Sequence, residues 1–413
     1  MSDNHSKLSR ELTKKIPKNE KKTQGIFFTP NETIKRNISV LEQYFDGFKN
    51  ILEPSCGSCE YIEYILKHIK THEIKTSITG IELNDTIYES IENMFIDETD
   101  VNIIKEDFIT SDESKKYDLI IGNPPFFVMK KTSIDKDYQS YFDGRPNLFI
   151  LFIIKSLKLL EVNGILSFIL PKNFVNCLYY DKTRKYIAEN YKILTIEECC
   201  GDYIDTKQET ILFIIQNTKE PSDICNNSKY VVDISGYTIF GNENDIIQMN
   251  ELLDNSSTLS SMGFAVNVGS VVWNQCKDIL TNDETKTRLI YSSDIVDNKV
   301  IVKKYTNMDK KNYINRVGIN DVMILVNRGY GMGDYNFNYC LLDVSFPYLI
   351  ENHLICIKYI KQDTISKKEL IEKYNKVIKS LQCERTKKFT KLYFGNNAIN
   401  TTELNLIMPI YEI

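Results

Sequence analysis

The chain has no excess of positive charge: 51 Lys and Arg stand against 56 Asp and Glu, a formal net charge of −5. It therefore carries no global basic field of the kind that announces a nucleic-acid partner. Histidine is scarce, with four in 413 residues, and Cys56 and Cys59 form a lone CxxC without a second pair. No metal site is expected on that basis. The ten cysteines lie at irregular spacings, which suits reduced thiols in an intracellular protein better than a disulfide framework. No apolar signal region opens the chain. Its most apolar run, "LFILFIIKSLKLL", is broken by Lys155 and Lys158, so no membrane-spanning segment is expected. The G-x-G-x-x-G of pyrophosphate-binding sites is missing, and no internal repeat is found.

What is present is an ordinary globular composition, 42% hydrophobic and 26% charged, in a chain long enough for two domains. Basic residues cluster in two places, from Lys7 to Lys22 and from Lys367 to Lys391, where they could hold phosphates locally. Residues 1–24 read as a flexible basic arm. From Gly25 to about Gln216, strand-like runs ("NILEP", "SITGIEL", "VNIIKEDF", "YDLIIGNPP", "GILSFILP") alternate with amphipathic helical stretches, and a final pair of strands, "ILTIEEC" and "ETILFIIQN", follows. Such alternation predicts an α/β fold, a parallel sheet with helices on both faces. After the polar linker "NTKEPSDICNNS" the pattern becomes irregular. The expected division is residues 25–235 as one domain and 236–413 as a second, mixed α+β domain.

The chemistry is concentrated at the predicted strand ends. After the first strand, Glu53, Ser55, Cys56 and Gly57 form a small-residue loop at a helix start, where doubly wound sheets bind cofactors. The second strand ends in Glu82 and Leu83, and a carboxylate there is placed to accept from ribose hydroxyls. The third ends in Asp107 and Phe108, an acceptor for an adenine amino group with a ring beside it. Together these tips outline an adenosine-shaped site. The fourth strand delivers "NPPFF". Pro124 and Pro125 restrict their own φ and the residue before each, which holds Asn123 and the Pro124 carbonyl in a fixed extended geometry. Two fixed acceptors, the Asn123 amide oxygen and the Pro124 carbonyl, suit the two hydrogens of one planar NH₂ group. Phe126 offers a flat face to the ring that carries it.

These residues resemble a known family. "NPPF" is similar to the catalytic motif of amino-group methyltransferases that use S-adenosylmethionine, and "EPSCGSC" to their first cofactor motif. "GIFFTP" ahead of the first strand resembles the N-terminal cofactor motif of gamma-class adenine-N6 DNA methyltransferases of type II restriction–modification systems. The resemblance spans residues 25–216. It implies a Rossmann-like methyltransferase sheet followed by a C-terminal target-recognition domain. S-adenosylmethionine is then the cofactor and double-stranded DNA the partner. A separately acting cognate restriction endonuclease and a monomeric state are further implications.

Carried over by position, Thr29 would contact the methionine moiety, while Glu53 and Ser55 would line the amino-acid and sulfonium end. Glu82 would hold the ribose, Asp107 the cofactor adenine, and Phe152 of "NLFILF" would lie near that ring. Asn123, Pro124, Pro125 and Phe126 would hold the target base, with Tyr203 stacking on its opposite face. The family usually has tyrosine at Phe126 and glycine at Cys59. The alternative substrates, a protein glutamine amide or an RNA amino group, share the N-P-P-aromatic motif. Those glutamine enzymes, however, place an extra domain ahead of the cofactor motifs and end soon after the sheet. In the C-terminal half Asn327, Arg328, Asn396 and Asn397 are candidates for base edges.

Overall fold

The computed structural model describes residues 4–220, 224–327, 338–361, 365–394 and 399–412. They form two compact units, Met1–Ile246 and Ile247–Ile413.

The first unit is built on a seven-stranded sheet. Its strands are β1 (Asn50–Glu53), β2 (Ser77–Glu82), β3 (Val101–Lys105), β4 (Tyr117–Gly122), β5 (Leu160–Pro171), β6 (Lys192–Glu198) and β7 (Thr210–Gln216), in the order β3-β2-β1-β4-β5-β7-β6. Strands β1 to β5 pair in parallel. Strand β7 runs antiparallel between β5 and β6. The reason is length: the connection from Cys199 to Glu209 is too short for the crossover that a parallel pair requires.

Alternate residues of each strand feed two cores. Leu52, Ile120 and Leu166 point to one face, where α6 (Leu148–Leu159) and α7 (Asp181–Asn190) pack. Ile51, Leu119 and Ile165 point to the other, under α3 (Asn31–Leu41) and α4 (Glu60–Thr71). The order turns outward in both directions from the β1–β4 pair. In open α/β sheets the crevice beyond the carboxyl ends of such a pair is where ligands bind. The loops that start at Glu53 and Asn123 leave the sheet there.

Two expectations are corrected. The first 24 residues are not a flexible arm: α1 (Lys7–Lys15) and α2 (Lys18–Gln24) form within them, and Leu12 and Ile16 are buried in the α3/α4 core. Polar contacts anchor the start. Ser6 caps α1 and donates to Glu60 at 2.5 Å, Ser9 meets the Ser58 hydroxyl at 2.8 Å, and Lys21 pairs with Asp205. The boundary also lies later than residue 235. A hairpin of β8 (Val231–Ile234) and β9 (Tyr237–Phe240) stays with the first unit. Buried Arg184 on α7 donates to the Thr238 carbonyl, and Phe240 stacks on Phe213 with centroids 5.8 Å apart.

The second unit is mixed α+β, as expected. A four-stranded antiparallel sheet orders Phe264–Val268, Leu354–Tyr359, Met323–Asn327 and Tyr339–Leu342. Helices Lys367–Gln382, Glu384–Phe394 and Thr401–Leu406 follow.

Candidate active site

The loop after β1 is held by backbone bonds. The Cys56 N–H donates to the Ile81 carbonyl at 2.9 Å, and the Gly57 N–H donates to Glu82 Oε2 at 2.9 Å. Glu82 Oε1 accepts from the Asn84 N–H at 2.8 Å. Burial pushes the Glu82 carboxyl up, while these two amides pull it down. Two of its roughly four acceptor positions are thus used, and the acid at the second strand tip braces the first loop. Cys59, where the family usually has glycine, sits in the left-handed region at φ 64°. Its backbone therefore asks for glycine, while its fully buried thiol packs in the core. The Cys56 thiol is pushed well up by its bond to Cys59 and by burial, so the CxxC is a packed pair and not a nucleophile.

Glu53 is 3% exposed and its Oε2 has no hydrogen-bond partner. Burial, then the neighbouring Cys56, Glu60 and Glu82, push its carboxyl well above the usual range. A buried carboxyl among acids, with an oxygen left open, is complementary to a cation. S-adenosylmethionine carries an ammonium and a sulfonium, and the site fits it on this ground. Thr29 is buried nearby in chain order, directly after Phe28, whose ring lies 3.6 Å from where a Cβ on Gly57 would stand.

Asn123 completes the opposite wall. Its Nδ2 donates to the Phe27 carbonyl at 3.1 Å. That bond orients the amide and leaves Oδ1 buried without a donor. Ser55 donates to the Asn123 carbonyl at 3.2 Å, tying the cofactor loop to the NPPF segment. No donor among the described residues bonds the Pro124 carbonyl. The segment "GIFF" is pressed on this turn: Gly25 ends α2 at φ 69°, and a Cβ there would lie 2.7 Å from the Phe126 nitrogen. Only glycine permits that approach. Phe126 is half-buried and meets Phe149 edge-on at 5.9 Å.

Two residues stand differently from expectation. The Tyr203 ring is buried and its hydroxyl faces the Thr210 and Asn123 side chains, closing a hydrogen bond with neither. It offers no free face for stacking. The next side chain, Ile204, is the exposed apolar one, 46% accessible. Phe108 is also closed, packed between the Phe152 ring at 4.9 Å and Lys155 Nζ at 5.3 Å. Phe108 and Phe152 pack as one pair, and Leu83, 61% exposed, is the apolar surface at the β2 tip. Asp107 is half-buried and accepts from the Ile109 N–H at 2.9 Å.

Lys155 was missed as anything but a break in an apolar run. It is 1% exposed and donates to the Ile109 and Ser111 carbonyls at 3.0 and 2.6 Å, clasping the loop after β3. Of the C-terminal candidates, Asn327 is bound to its own sheet, accepting from the Asn338 N–H at 2.8 Å. Arg328, Asn396 and Asn397 lie outside the described residues.

Residues 9–203 match the model of the Eco57I restriction-modification methylase family. The type II methyltransferase M.CvrRI of Paramecium bursaria Chlorella virus XZ-6E is 28% identical over 397 residues, 95% of each chain. Over nearly its whole length the chain is thus similar to a type II methyltransferase, and over residues 9–203 to the restriction-modification methylase family. The modification methylase CviBIII of Chlorella virus NC1A is 32% identical over 52% of this chain and 56% of its own. Among solved structures, a type I restriction-modification methyltransferase subunit from Streptococcus thermophilus has a TM-score of 0.41 at 16% identity, over 55% of this chain and 58% of that one. The chain is a site-specific DNA methyltransferase that uses S-adenosylmethionine. No described helix is long and apolar enough to cross a membrane.

Proposed function

We propose that this DNA methyltransferase modifies the N6 amino group of adenine in duplex DNA, with the target base turned out of the helix. The observation that carries this reading is the buried, donor-less Asn123 Oδ1 beside the Pro124 carbonyl. Two fixed acceptors take both hydrogens of one exocyclic amino group and draw its nitrogen lone pair out of conjugation with the ring. Neither is basic, so the pair raises nucleophilicity without first removing a proton. Phe126 holds one face of the base, and the exposed Ile204 is the candidate for the other. Turning the base out costs a few kcal/mol, offset by these contacts and by phosphate contacts elsewhere.

S-adenosylmethionine, when bound, supplies an electrophilic methyl. Glu53 would hold its cationic end, Glu82 its ribose and Asp107 its adenine, with Ser55 and Gly57 keeping the loop close. Positioning two reactants in this way supplies much of the acceleration. The second unit is read as the target-recognition domain, and the protein as the modification enzyme of its system, with any cognate endonuclease a separate protein.

The test is product analysis. Unmethylated DNA incubated with protein and S-adenosylmethionine should yield N6-methyladenine, confined to one short motif on modification-sensitive sequencing. N4-methylcytosine in place of N6-methyladenine would overturn the adenine reading. Unmodified DNA alongside methylated RNA or protein amide would overturn the substrate.

A further inference from the structure

We propose that Glu42, His68 and His72 form a binding site for one divalent transition metal of the zinc–cobalt–nickel class. His68 lies on α4, His72 caps that helix, and Glu42 begins the 3₁₀ turn Glu42–Gly47 that follows α3. Two histidines four residues apart share one helix face, and the turn brings a carboxylate to the same spot. The three ligand atoms lie within 4.8 Å of one another.

The donor chemistry suits such an ion. His72 Nδ1 lies 2.9 Å from the His68 carbonyl. A carbonyl can only accept, so Nδ1 carries the proton and Nε2 keeps a lone pair for a metal. Metal-ligating histidines characteristically have this second bond. His68 is oriented by the Phe45 ring, with centroids 4.5 Å apart, and the two imidazoles are 4.3 Å apart. Bonds of about 2.0–2.1 Å in a tetrahedral shell bring ligands to roughly 3.3 Å of each other. The half-buried His68 is the fixed member. Glu42 and His72 are exposed, so their rotation can close the remaining gap, with water completing the shell. Two imidazoles and a carboxylate favour zinc, cobalt or nickel over magnesium or calcium.

The site is separate from the strand-end crevice. His72 stands twelve residues beyond Glu60, about 18 Å along the helix axis. An ion there would pin the far end of α4 to the turn after α3 and stabilise the first unit by mass action. A search for CxxC pairs overlooks it, because its ligands come from two elements and include no thiol.

The test is a cobalt(II) titration of the full chain, followed by absorption and by thermal melting. Wild-type protein should bind one equivalent with d–d bands but no thiolate charge-transfer band, should melt higher with the ion present, and should release cobalt to zinc but not to magnesium. His72→Ala should weaken binding at least tenfold and Glu42→Gln several-fold, with metal-free melting of both unchanged. The proposal is overturned if His72→Ala binds within twofold of wild type, or if the spectrum shows thiolate ligation, which would move the ion to the cysteines. Neither outcome depends on DNA methylation.

Discussion

Glu53 in the first unit and Asp294 in the second are both buried carboxyl groups, but their surroundings treat them in opposite ways. Asp294 is fully satisfied: it accepts from Arg288 at 2.7 Å, from the Tyr291 N–H at 3.1 Å and from the Tyr305 hydroxyl. Arg288 in turn donates to the Asn312 carbonyl at 2.7 Å. Glu53 has an open oxygen and acidic neighbours. The closed network holds a fold together, whereas the open carboxyl keeps an oxygen unspent, as the proposed role of binding a cation requires. The same contrast applies to amides, since Asn327 is spent on its own sheet while Asn123 keeps Oδ1 unspent.

Substitution separates the two roles. Asp294→Ala leaves Arg288 buried without its partner and should cost about 3–5 kcal/mol of stability. Denaturant unfolding measures it, and a loss under 1 kcal/mol would mean that the network is ornamental. Glu53→Gln should leave stability equal or higher but weaken S-adenosylmethionine binding roughly 10- to 100-fold, the scale of one hydrogen bond to a charged group.

The sign of its pH dependence follows from burial. Its raised carboxyl favours the neutral form in the free protein, and a bound cation favours the ionised form. Binding therefore releases a proton, and affinity should rise with pH until the free-protein Glu53 has ionised, then level off. The same raised value means that Glu53's own contribution to stability is greatest below the ordinary carboxylate range and is lost as pH rises through its folded-state value. Calorimetry should show the binding slope in wild type and a flat profile in Glu53→Gln. The smallest effect is at Lys155, whose contacts support the adenosine loop. Lys155→Met should raise the KM for cofactor roughly tenfold with kcat nearly unchanged. An equal fall in kcat would mark a general structural role instead.

The contrast also explains what the sequence disclosed. Strand ends that carry chemistry are written locally, as an apolar run followed by Glu53, Glu82, Asp107 or Asn123, and the sheet was legible from the same alternation. Residues 1–24 read as an arm because α1 and α2 present mostly polar residues and are held by two buried apolar residues and a cluster of Ser6, Ser9, Ser58 and Glu60. No local pattern marks contacts made across some fifty positions. Tyr203 is buried where the sequence suggests an open ring, because adjacent residues of an irregular segment differ in which one points inward. Lys155 looked like a polar interruption, since nothing local says that a lysine will find two carbonyls and a ring. The second unit, with short strands and a buried Arg288–Asp294 pair, disclosed only its class.

The most direct test of the central claim is single-turnover methylation by Asn123→Ala, measured beside its affinity for S-adenosylmethionine. If the open amide oxygen activates the target amino group, the methylation rate should fall by about 10²–10³ or more, the scale for removing one preorganised transition-state contact. Cofactor affinity and melting should stay near wild type. A rate within tenfold of wild type would contradict that role for Asn123. A parallel loss of cofactor binding would move Asn123 to the other half of the site.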